Sequence, residues 1–464
     1  MNRRLFFSIL MLGGISIGAM AQTLTLQECV DKALVHNKSI SSAKLRWEQT
    51  RFDMKSYKAN FFPQVNLMAT DFYSTAQGNI MLDGGHLPIY RFSEQAQAFV
   101  PNVTKNADGS YTLNEYADFP SQKIDWKIKN VFMAGVSLME PLYAGGKISA
   151  AYEMSKLGMS LANENVRLTE SEVLVKTHEA YYLAVKAKEM GEVARAYKAL
   201  LDELKKNVEA AFRQGLSTRN DIMKVQVKLN EAELNIQKTD NGFRLACMNL
   251  CHMTGLPLDS PIDVEASGID SMQEVSVEAE AVNSRPEAAI LGYKTELAHK
   301  KVKLTKSDCL PNVAMGATLT YANGGELAGK RLLDDGTMSV GVAVKIPLDF
   351  FGGVGNKVRS AKAAYQIAQM EEQDHVEQMQ LELSQCRNMY EEALTEQNIC
   401  KLALEQAAEN MRLSKQQYEV GLEALSDYLE AQAIWQQCYA NVVNSRCQKM
   451  LACVRLLKAS GMLR

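Results

Sequence analysis

The chain has 464 residues, 47% of them hydrophobic, and a formal net charge of −3. This near-neutral charge, without a basic stripe, excludes an electrostatic surface for binding nucleic acid. After residue 22 no apolar run approaches the roughly 20 residues that a membrane-spanning helix needs, which excludes an inner-membrane helical bundle. The strands of a transmembrane β-barrel need only about 10 alternating residues, so that class stays open.

The chain begins with a pattern typical of an export signal. In MNRRLFFSILMLGGISIGAMAQ, two arginines precede an apolar run that is too short and too rich in Gly for a spanning helix. Ala19, Met20 and Ala21 then supply the small-x-small pattern of signal-peptide cleavage. We therefore predict a signal peptide over residues 1–21 and an exported mature protein. A lipid anchor is not expected, because no cysteine lies at the cleavage point.

The mature sequence reads as one unit written twice. LACMNLCHMTG at 245–255 returns as LACVRLLKASG at 451–461, an offset of 206 residues, and the same offset relates Gly215 to Gly421. Such a repeat has to be found before domains are counted. The predicted domains are a first repeat (22–255), a linker (256–282) and a second repeat (283–464).

The first repeat contains an insertion over about residues 74–130. Pro63 matches Pro311 at an offset of 248 residues, so 42 additional residues lie between Tyr73 and Val131. The stretch is rich in Gly, Asn, Asp and Ser, the composition of a long exposed loop. We expect this loop to lie outside the cell.

Each repeat contains a pair of strands with alternating side chains. In MSVGVAVKIPL, the apolar face carries Val340, Val342, Val344, Ile346 and Leu348. The other face carries Ser339, Gly341, Ala343 and Lys345. Its partner PNVAMGATLTY alternates too, and the first repeat shows the pattern less cleanly from Val65 to Tyr73 and from Ala134 to Leu138. The sequence therefore predicts four strands per chain.

Each strand pair leads into a very long helix and a helical hairpin. No proline lies between Lys147 and Gln214, which predicts a helix about 100 Å long at 1.5 Å per residue. The turns FRQGLSTRND (212–221) and YEVGLEALSD (418–427) follow. The next helix, about 217–254, has an unbroken 3,4 spacing of apolar residues, which predicts coiled-coil packing. Two shorter helices are predicted to return the chain to the strands, over 26–58 and 283–307.

Four strands per chain cannot form a closed barrel alone. The smallest closed transmembrane barrels have about eight strands, and open strand edges are not tolerated in lipid. Several chains must therefore share one barrel. The predicted fold class is an α+β membrane protein with an internal tandem repeat.

The sequence contains no recognisable catalytic or metal-binding motif. Walker, HExxH and GxSxG patterns are absent. Cys247 and Cys251 share a helix face beside His252, but the second repeat has Leu457 and Lys458 where the first has Cys251 and His252, so we favour core packing over a metal site. Nine cysteines, an odd number, cannot all pair within one chain. Histidines without catalytic partners at motif spacing are His36, His86, His178, His252, His299 and His375. We predict no enzyme, no metal and no cofactor.

Seven segments, in this order and spacing, carry a resemblance to a known family. They are LTLQECVDKALVHNKSI, FFPQVNL, EPLYAGG, FRQGLSTRNDIMKVQ, CLPNVAM, IPLDFFGG and YEVGLEALSDYLEAQ. Over essentially the whole mature chain, the sequence resembles the TolC-like outer-membrane efflux proteins. The resemblance implies a homotrimer in the cell outer membrane, with one twelve-stranded β-barrel continued into the periplasm by a coiled-coil barrel of twelve helices.

The resemblance also implies a transport function and its partners. The chain is expected to be the exit duct of a tripartite efflux system that passes drugs or metabolites from the periplasm to the exterior. Its partners would be outer-membrane lipid, a periplasmic adaptor (membrane fusion) protein and an inner-membrane pump of the resistance-nodulation-division class. The adaptor-contacting residues implied at the turns are Gly215, Leu216, Gly421 and Leu422.

The same resemblance implies a gate at the periplasmic tip. An acidic pair after the second turn rings the closed aperture in this family, and the matching residues are Asp427 and Glu430, three apart and on one helix face. Three copies would bring six carboxylates together and attract cations; a solvated helix face is the alternative reading. Glu423 stands where the best-known members have a basic residue. The contact between helices that keeps those members closed is therefore not implied for this chain. Candidates for a substitute pairing with Glu423 or Asp427 are Arg213, Arg219 and Asp221.

Three other functions remain compatible with parts of the sequence. A type I protein-secretion duct would share every feature above. A periplasmic coiled-coil adaptor would explain one hairpin, but the doubled hairpins and strand pairs argue against it. A structural stalk would explain the heptads and leave the alternating strands without a role.

Overall fold

The structure, a computed structural model, describes residues 22–265 and 279–463. The predicted signal peptide (1–21) and the middle of the predicted linker (266–278) lie outside these residues. The chain divides into two compact units. The helical unit comprises the described residues within 1–54, 153–302 and 359–464, and the sheet unit comprises 55–152 and 303–358.

Long helices dominate the described chain. Its α-helices are α1 (Leu26–His36), α2 (Lys38–Ala59), α3 (Lys147–Arg213), α4 (Arg219–Thr254), α5 (Pro286–Ser307), α6 (Gly353–Glu419) and α7 (Leu425–Ala459). The predicted unbroken helix from Lys147 is confirmed by α3, and α3 and α6 have the same length, 67 residues. Within 22–265 and 279–463, no helix combines the length and the apolar character needed to cross a membrane.

The predicted N-terminal helix is divided at Asn37. The single helix expected over 26–58 is instead α1 followed by α2, because Asn37 has an extended backbone with ψ of 127°. Its Nδ2 donates to the carbonyl of Met253 on α4 at 3.2 Å, and its Oδ1 accepts from the amide of Ser39 at 2.9 Å. This side chain therefore starts α2 and ties the break to α4.

Short strands accompany the long ones. The strands are β1 (Gln22–Leu24), β2 (Gln64–Tyr73), β3 (Gln77–Leu82), β4 (Gly85–Pro88), β5 (Tyr90–Ser93), β6 (Ala98–Pro101), β7 (Val103–Lys105), β8 (Tyr111–Leu113), β9 (Tyr116–Phe119), β10 (Gln122–Ala144), β11 (Ile262–Val264), β12 (Asn312–Leu327) and β13 (Lys330–Lys345). In the helical unit, β1 and β11 pair in parallel, and Lys188 of α3 binds the Asp263 carboxylate at 2.7 Å. Tyr181 Oη donates to the carbonyl of Glu265 at 2.7 Å, so α3 fixes this strand pair.

The largest core cluster of the helical unit contains the cysteines that the sequence placed on one helix face. Cys247 and Cys251 are buried there among residues of α1, α3, α4 and α7, which confirms that they pack in the core. Burial raises the pKa of the Cys247 thiol to about 11. Among the described residues, no group of three or more His, Cys, Asp or Glu side chains could hold a metal ion.

The sheet unit contains an antiparallel sheet in the order β13-β12-β10-β2, with β3 pairing beside β2 on β10. The registers align residues of the four main strands in rows, and the residues of one row share a face. One apolar row is Val65, Leu138, Ala317 and Val340. The adjacent polar row is Asn66, Ser137, Thr318 and Ser339. The next row is apolar again: Leu67, Val136, Leu319 and Met338. Over these three rows, the alternation seen in single strands is shared by all four strands.

The stretch 74–130, predicted as a long loop, is built largely from paired strands. β4 pairs with β9, β5 with β6, and β7 with β8, while β3 pairs with the first part of β10. Turn-forming residues separate some of these short strands, such as Asp83 and Gly84 before β4 and the run NADGS (106–110) between β7 and β8, which explains the loop-like composition. β12 and β13 also continue past their predicted ends to a turn at Ala328 and Gly329, where both residues have positive φ.

Candidate functional site at the hairpin turns

The two helix–helix turns are built in the same way. Gly215 follows α3 and Gly421 follows α6, with φ of 76° and 79°, a left-handed conformation that glycine adopts without steric cost. The amides of Leu216 and Leu422 donate at 2.9 Å to carbonyls in the last turn of the preceding helix. Both leucine side chains are exposed, at 78% and 81%. Each turn therefore presents an apolar side chain on its surface.

The helices that follow the turns differ in their N-terminal caps. Thr218 Oγ1 accepts from the amide of Asp221 at 3.2 Å, and the Asp221 carboxylate accepts from the amide of Thr218 at 3.1 Å, which makes a complete capping box for α4. The hydrogen bond from Thr218 is the main cause that lowers the pKa of Asp221. Lys224 lies 3.5 Å from the same carboxylate. In contrast, α7 begins after Ala424, which makes no side-chain cap bond.

Changing these caps should alter the stability of the first helical turns of α4 and α7 in opposite directions. Thr218→Ala is expected to destabilise the first turn of α4 by about 1 kcal/mol, and Ala424→Ser to stabilise the first turn of α7 by a similar amount. Because the folded-state pKa of Asp221 is lowered, its contribution is present above the unfolded-state pKa and is lost as the pH falls through the folded-state pKa. Hydrogen–deuterium exchange in each first turn should therefore change about fivefold, and the Thr218→Ala effect should shrink in acid. Equal exchange in Thr218→Ala and the unmodified chain at neutral pH would contradict the assignment.

A cavity of about 760 Å³ lies between the two hairpin tips in the helical unit. All four hairpin helices and both turns contribute to its lining. Tyr418 and Tyr428 stack in its wall with ring centroids 5.5 Å apart. Lys415 and Glu203 form an ion pair at 3.0 Å that joins α6 to α3. The cavity therefore has both aromatic and charged walls.

The two predicted gate carboxylates lie on the exposed side of α7. Asp427 accepts a hydrogen bond from Ser426 Oγ at 3.0 Å, and Glu430 borders a second hollow of about 460 Å³ between α4 and α7. The intervening Tyr428 and Leu429 are buried, so the acids share the opposite, solvent-facing side of the helix. Their role at an aperture stays a prediction.

The cavity brings together two of the other predicted gate residues. Glu423 and Asp221 both line it, and Glu423 Oε2 is shielded from solvent without a hydrogen-bond donor in the described residues. Arg213 and Arg219 are exposed. Within the described part of the chain, no ion pair joins either arginine to Glu423 or Asp427, so the expected substitute pairing is not formed there.

Gln432 is a polar core residue near the second turn that the sequence analysis missed. It is fully buried on α7, and its amide atoms make no hydrogen bond of normal geometry in the described chain. Gln432 follows Leu425 and Tyr428 at a 3,4 spacing, which places a polar side chain in an apolar seam. That spacing is the signal that could have identified it.

Comparison with solved structures shows which proteins share this fold. The chain aligns with the outer membrane protein VceC of Vibrio cholerae at a TM-score of 0.72 and 17% identity, covering 94% of this chain and 96% of that chain. It aligns with the CmeC outer membrane channel of Campylobacter jejuni at a TM-score of 0.74 and 16% identity, covering 95% and 86%. The chain therefore has the fold of these outer-membrane proteins.

Sequence comparison shows which proteins the chain resembles. The family described as outer membrane efflux protein matches residues 280–462. The chain is 26% identical over 271 residues to the alkaline protease secretion protein AprF of Pseudomonas aeruginosa, a match that covers 56% of this chain and only about half, 55%, of that protein. It is 19% identical over 374 residues to the outer membrane protein TolC of Vibrio cholerae, covering 79% and 83%. The chain is therefore similar in sequence to outer membrane efflux and secretion proteins, and its residues 280–462 match the outer membrane efflux protein family.

Proposed function

We propose that the chain is the outer-membrane exit duct of an efflux or secretion system. It lies in the cell outer membrane, extends into the periplasm and passes small molecules such as drugs or metabolites to the exterior. The observation that carries this proposal is the two-faced sheet, because a membrane barrel turns an apolar face to lipid and a polar face to its lumen. The apolar row through Val340 and the adjacent polar row through Ser339 fit those two roles.

The open edges of the sheet support assembly as a homotrimer. Among the described strands, β13 pairs on one side only, and β2 has the same arrangement at the opposite edge. Unpaired backbone groups at such edges are costly in lipid, so each edge needs a partner strand. Pairing β2 of one copy with β13 of the next closes a barrel of twelve strands, above the minimum of about eight. We regard the two hairpins of each chain as tandem repeats. The hairpins of three copies would together form the helical tunnel.

Exposed aromatic residues beside the strands support a membrane boundary. Phe350 and Phe351 follow β13, and Phe351 is 99% exposed. Phe61 and Phe62, before β2, are exposed as well. Aromatic girdles mark the edges of the apolar band in outer-membrane barrels. We therefore assign these four residues to the periplasmic membrane interface.

Similarity to the outer membrane efflux protein family supports a tripartite assembly with two further proteins. A periplasmic adaptor would contact the turns through Gly215, Leu216, Gly421 and Leu422, and a pump of the resistance-nodulation-division class would supply the energy. A type I protein-secretion duct is the second candidate, because AprF and the proteases secretion protein PrtF of Dickeya chrysanthemi are named for secretion. No enzymatic activity is proposed.

A trimeric channel is the direct test of this function. Native mass spectrometry of the purified protein in detergent should give three copies, and reconstitution into planar bilayers should give discrete conductance steps. The physical reason is the closure of β2 against β13 described above. A folded, membrane-inserted monomer would overturn the trimer, and release from membranes by carbonate would favour a soluble stalk.

A further inference from the structure

We infer that the cavity between the hairpin tips recognises a cationic side chain of a partner protein, and that Glu423 selects for that charge. The inference rests on the proposed function, since a duct that extends into the periplasm needs a protein partner at its tip. It identifies the chemistry of the contact, which the exposed leucines of the turns do not specify.

The charged groups of the cavity are unbalanced. Its charged lining residues are Glu203, Asp221, Glu419, Glu423, Lys224 and Lys415. Both lysines are already engaged, Lys415 with Glu203 at 3.0 Å and Lys224 with Asp221 at 3.5 Å. In the described part of the chain, no ion pair offsets the charge of Glu419 or Glu423. The cavity therefore carries an excess of negative charge that would attract a cation.

Glu423 is the carboxylate best placed to bind that cation. Its Oε2 is shielded from solvent and has no hydrogen-bond donor among the described residues, whereas Glu419 is exposed at the end of α6. A shielded carboxylate oxygen without a donor is unfavourable, and a charged N–H group brought to it forms a charge-assisted hydrogen bond. Glu423 should therefore anchor the cation, and Glu419 should add attraction over a longer distance.

The remaining walls suit a cation on an organic stem. Tyr418 and Tyr428 offer aromatic surface, and Leu216 adds an exposed apolar side chain. Arginine and lysine bury their aliphatic stems against such surfaces while the charged head binds elsewhere. A volume of about 760 Å³ is of the size that holds organic ligands and exceeds what one bare ion fills. A side chain of a partner protein matches both the size and the polarity.

A pair of matched probes can test this recognition without knowledge of the partner. 4-Fluorobenzylguanidinium and 4-fluorobenzylurea have nearly the same shape, and only the first is charged. Ligand-observed fluorine NMR on the full chain in detergent, with empty micelles as the blank, should show roughly fivefold tighter binding of the guanidinium. Glu423→Gln should abolish this preference. Glu405→Gln removes the same charge from an exposed position of α6 outside the cavity and should leave the preference unchanged.

The outcomes separate this inference from the proposed function. Equal binding of both probes, or a guanidinium preference that survives Glu423→Gln, overturns the inference. A preference that appears only after Arg213 and Arg219 are replaced by Gln would also overturn it, because a second copy of the chain would then occupy the cavity. Conductance of the same preparations in planar bilayers shows whether the protein forms a channel. Normal conductance without a guanidinium preference would leave the proposed function intact.

Discussion

Val340→Arg is expected to prevent insertion of the protein into the outer membrane. Val340 ends an apolar row that crosses the four main strands of the sheet, and its side chain is exposed in the single chain. If this face meets lipid, an arginine near the middle of the bilayer costs about 2–4 kcal/mol per chain. A trimer carries the substitution three times, so the penalty multiplies in the assembled barrel. Heat-resistant trimer recovered from the outer membrane should fall at least tenfold.

Ser339→Arg is the matched control, one residue away on the opposite face. It lies in the polar row, opposite Thr318, where a charge would face the lumen. Trimer should therefore still form, and planar-bilayer recordings should show weaker cation preference because three positive charges line the pore. If Ser339→Arg blocks assembly while Val340→Arg does not, the two faces have been assigned the wrong way round.

Features set by long periodic patterns were predictable from sequence. The absence of proline after Lys147 identifies α3 within one residue of its observed end. The alternation in MSVGVAVKIPL predicts the two faces of β13 because the side-chain period of a strand is two. The paired Gly-Leu turns follow from glycine at Gly215 and Gly421, whose positive φ other residues adopt less readily. In each case many residues, or one special backbone conformation, report the same structure.

Features that depend on one distant contact were not predictable. β1 and β11 have three residues each, too few to show a period, and they exist through their mutual pairing and through Lys188 of α3. Asn37 interrupts the N-terminal helix because the carbonyl of Met253 lies within reach of its side chain. Glu423 was noticed only as a departure from a family pattern. Its shielded oxygen depends on four helices meeting around one cavity, and no local pattern reports that arrangement.

The exposed acids of α7 and the cavity that contains Glu423 are separate features of the hairpin tips. Glu423 faces a cavity inside the helical unit, whereas Asp427 and Glu430 lie on the solvent-facing side of the helix. Asp221 is already bound to Thr218 and Lys224, which leaves Arg213 and Arg219 as the candidates for holding a closed tip. Contacts that keep the tip closed and charges that attract ions would then involve separate residues. Removing the acids should change selectivity more than pore size.

Replacing Asp427 and Glu430 together by Ala should sharply reduce the cation selectivity of the channel. In the proposed trimer the change removes six carboxylates from a narrow opening, where fixed charges concentrate counter-ions. The reversal potential in a potassium chloride gradient should move towards zero, and block by multivalent cations should weaken, while conductance changes little. Glu396→Ala with Glu405→Ala removes the same number of charges from exposed positions of α6 away from the turn and should leave the reversal potential nearly unchanged. An unaltered reversal potential in the Asp427/Glu430 variant would place these carboxylates on the solvated exterior of the tip, because a charge outside the ion path is screened within about 10 Å at moderate salt.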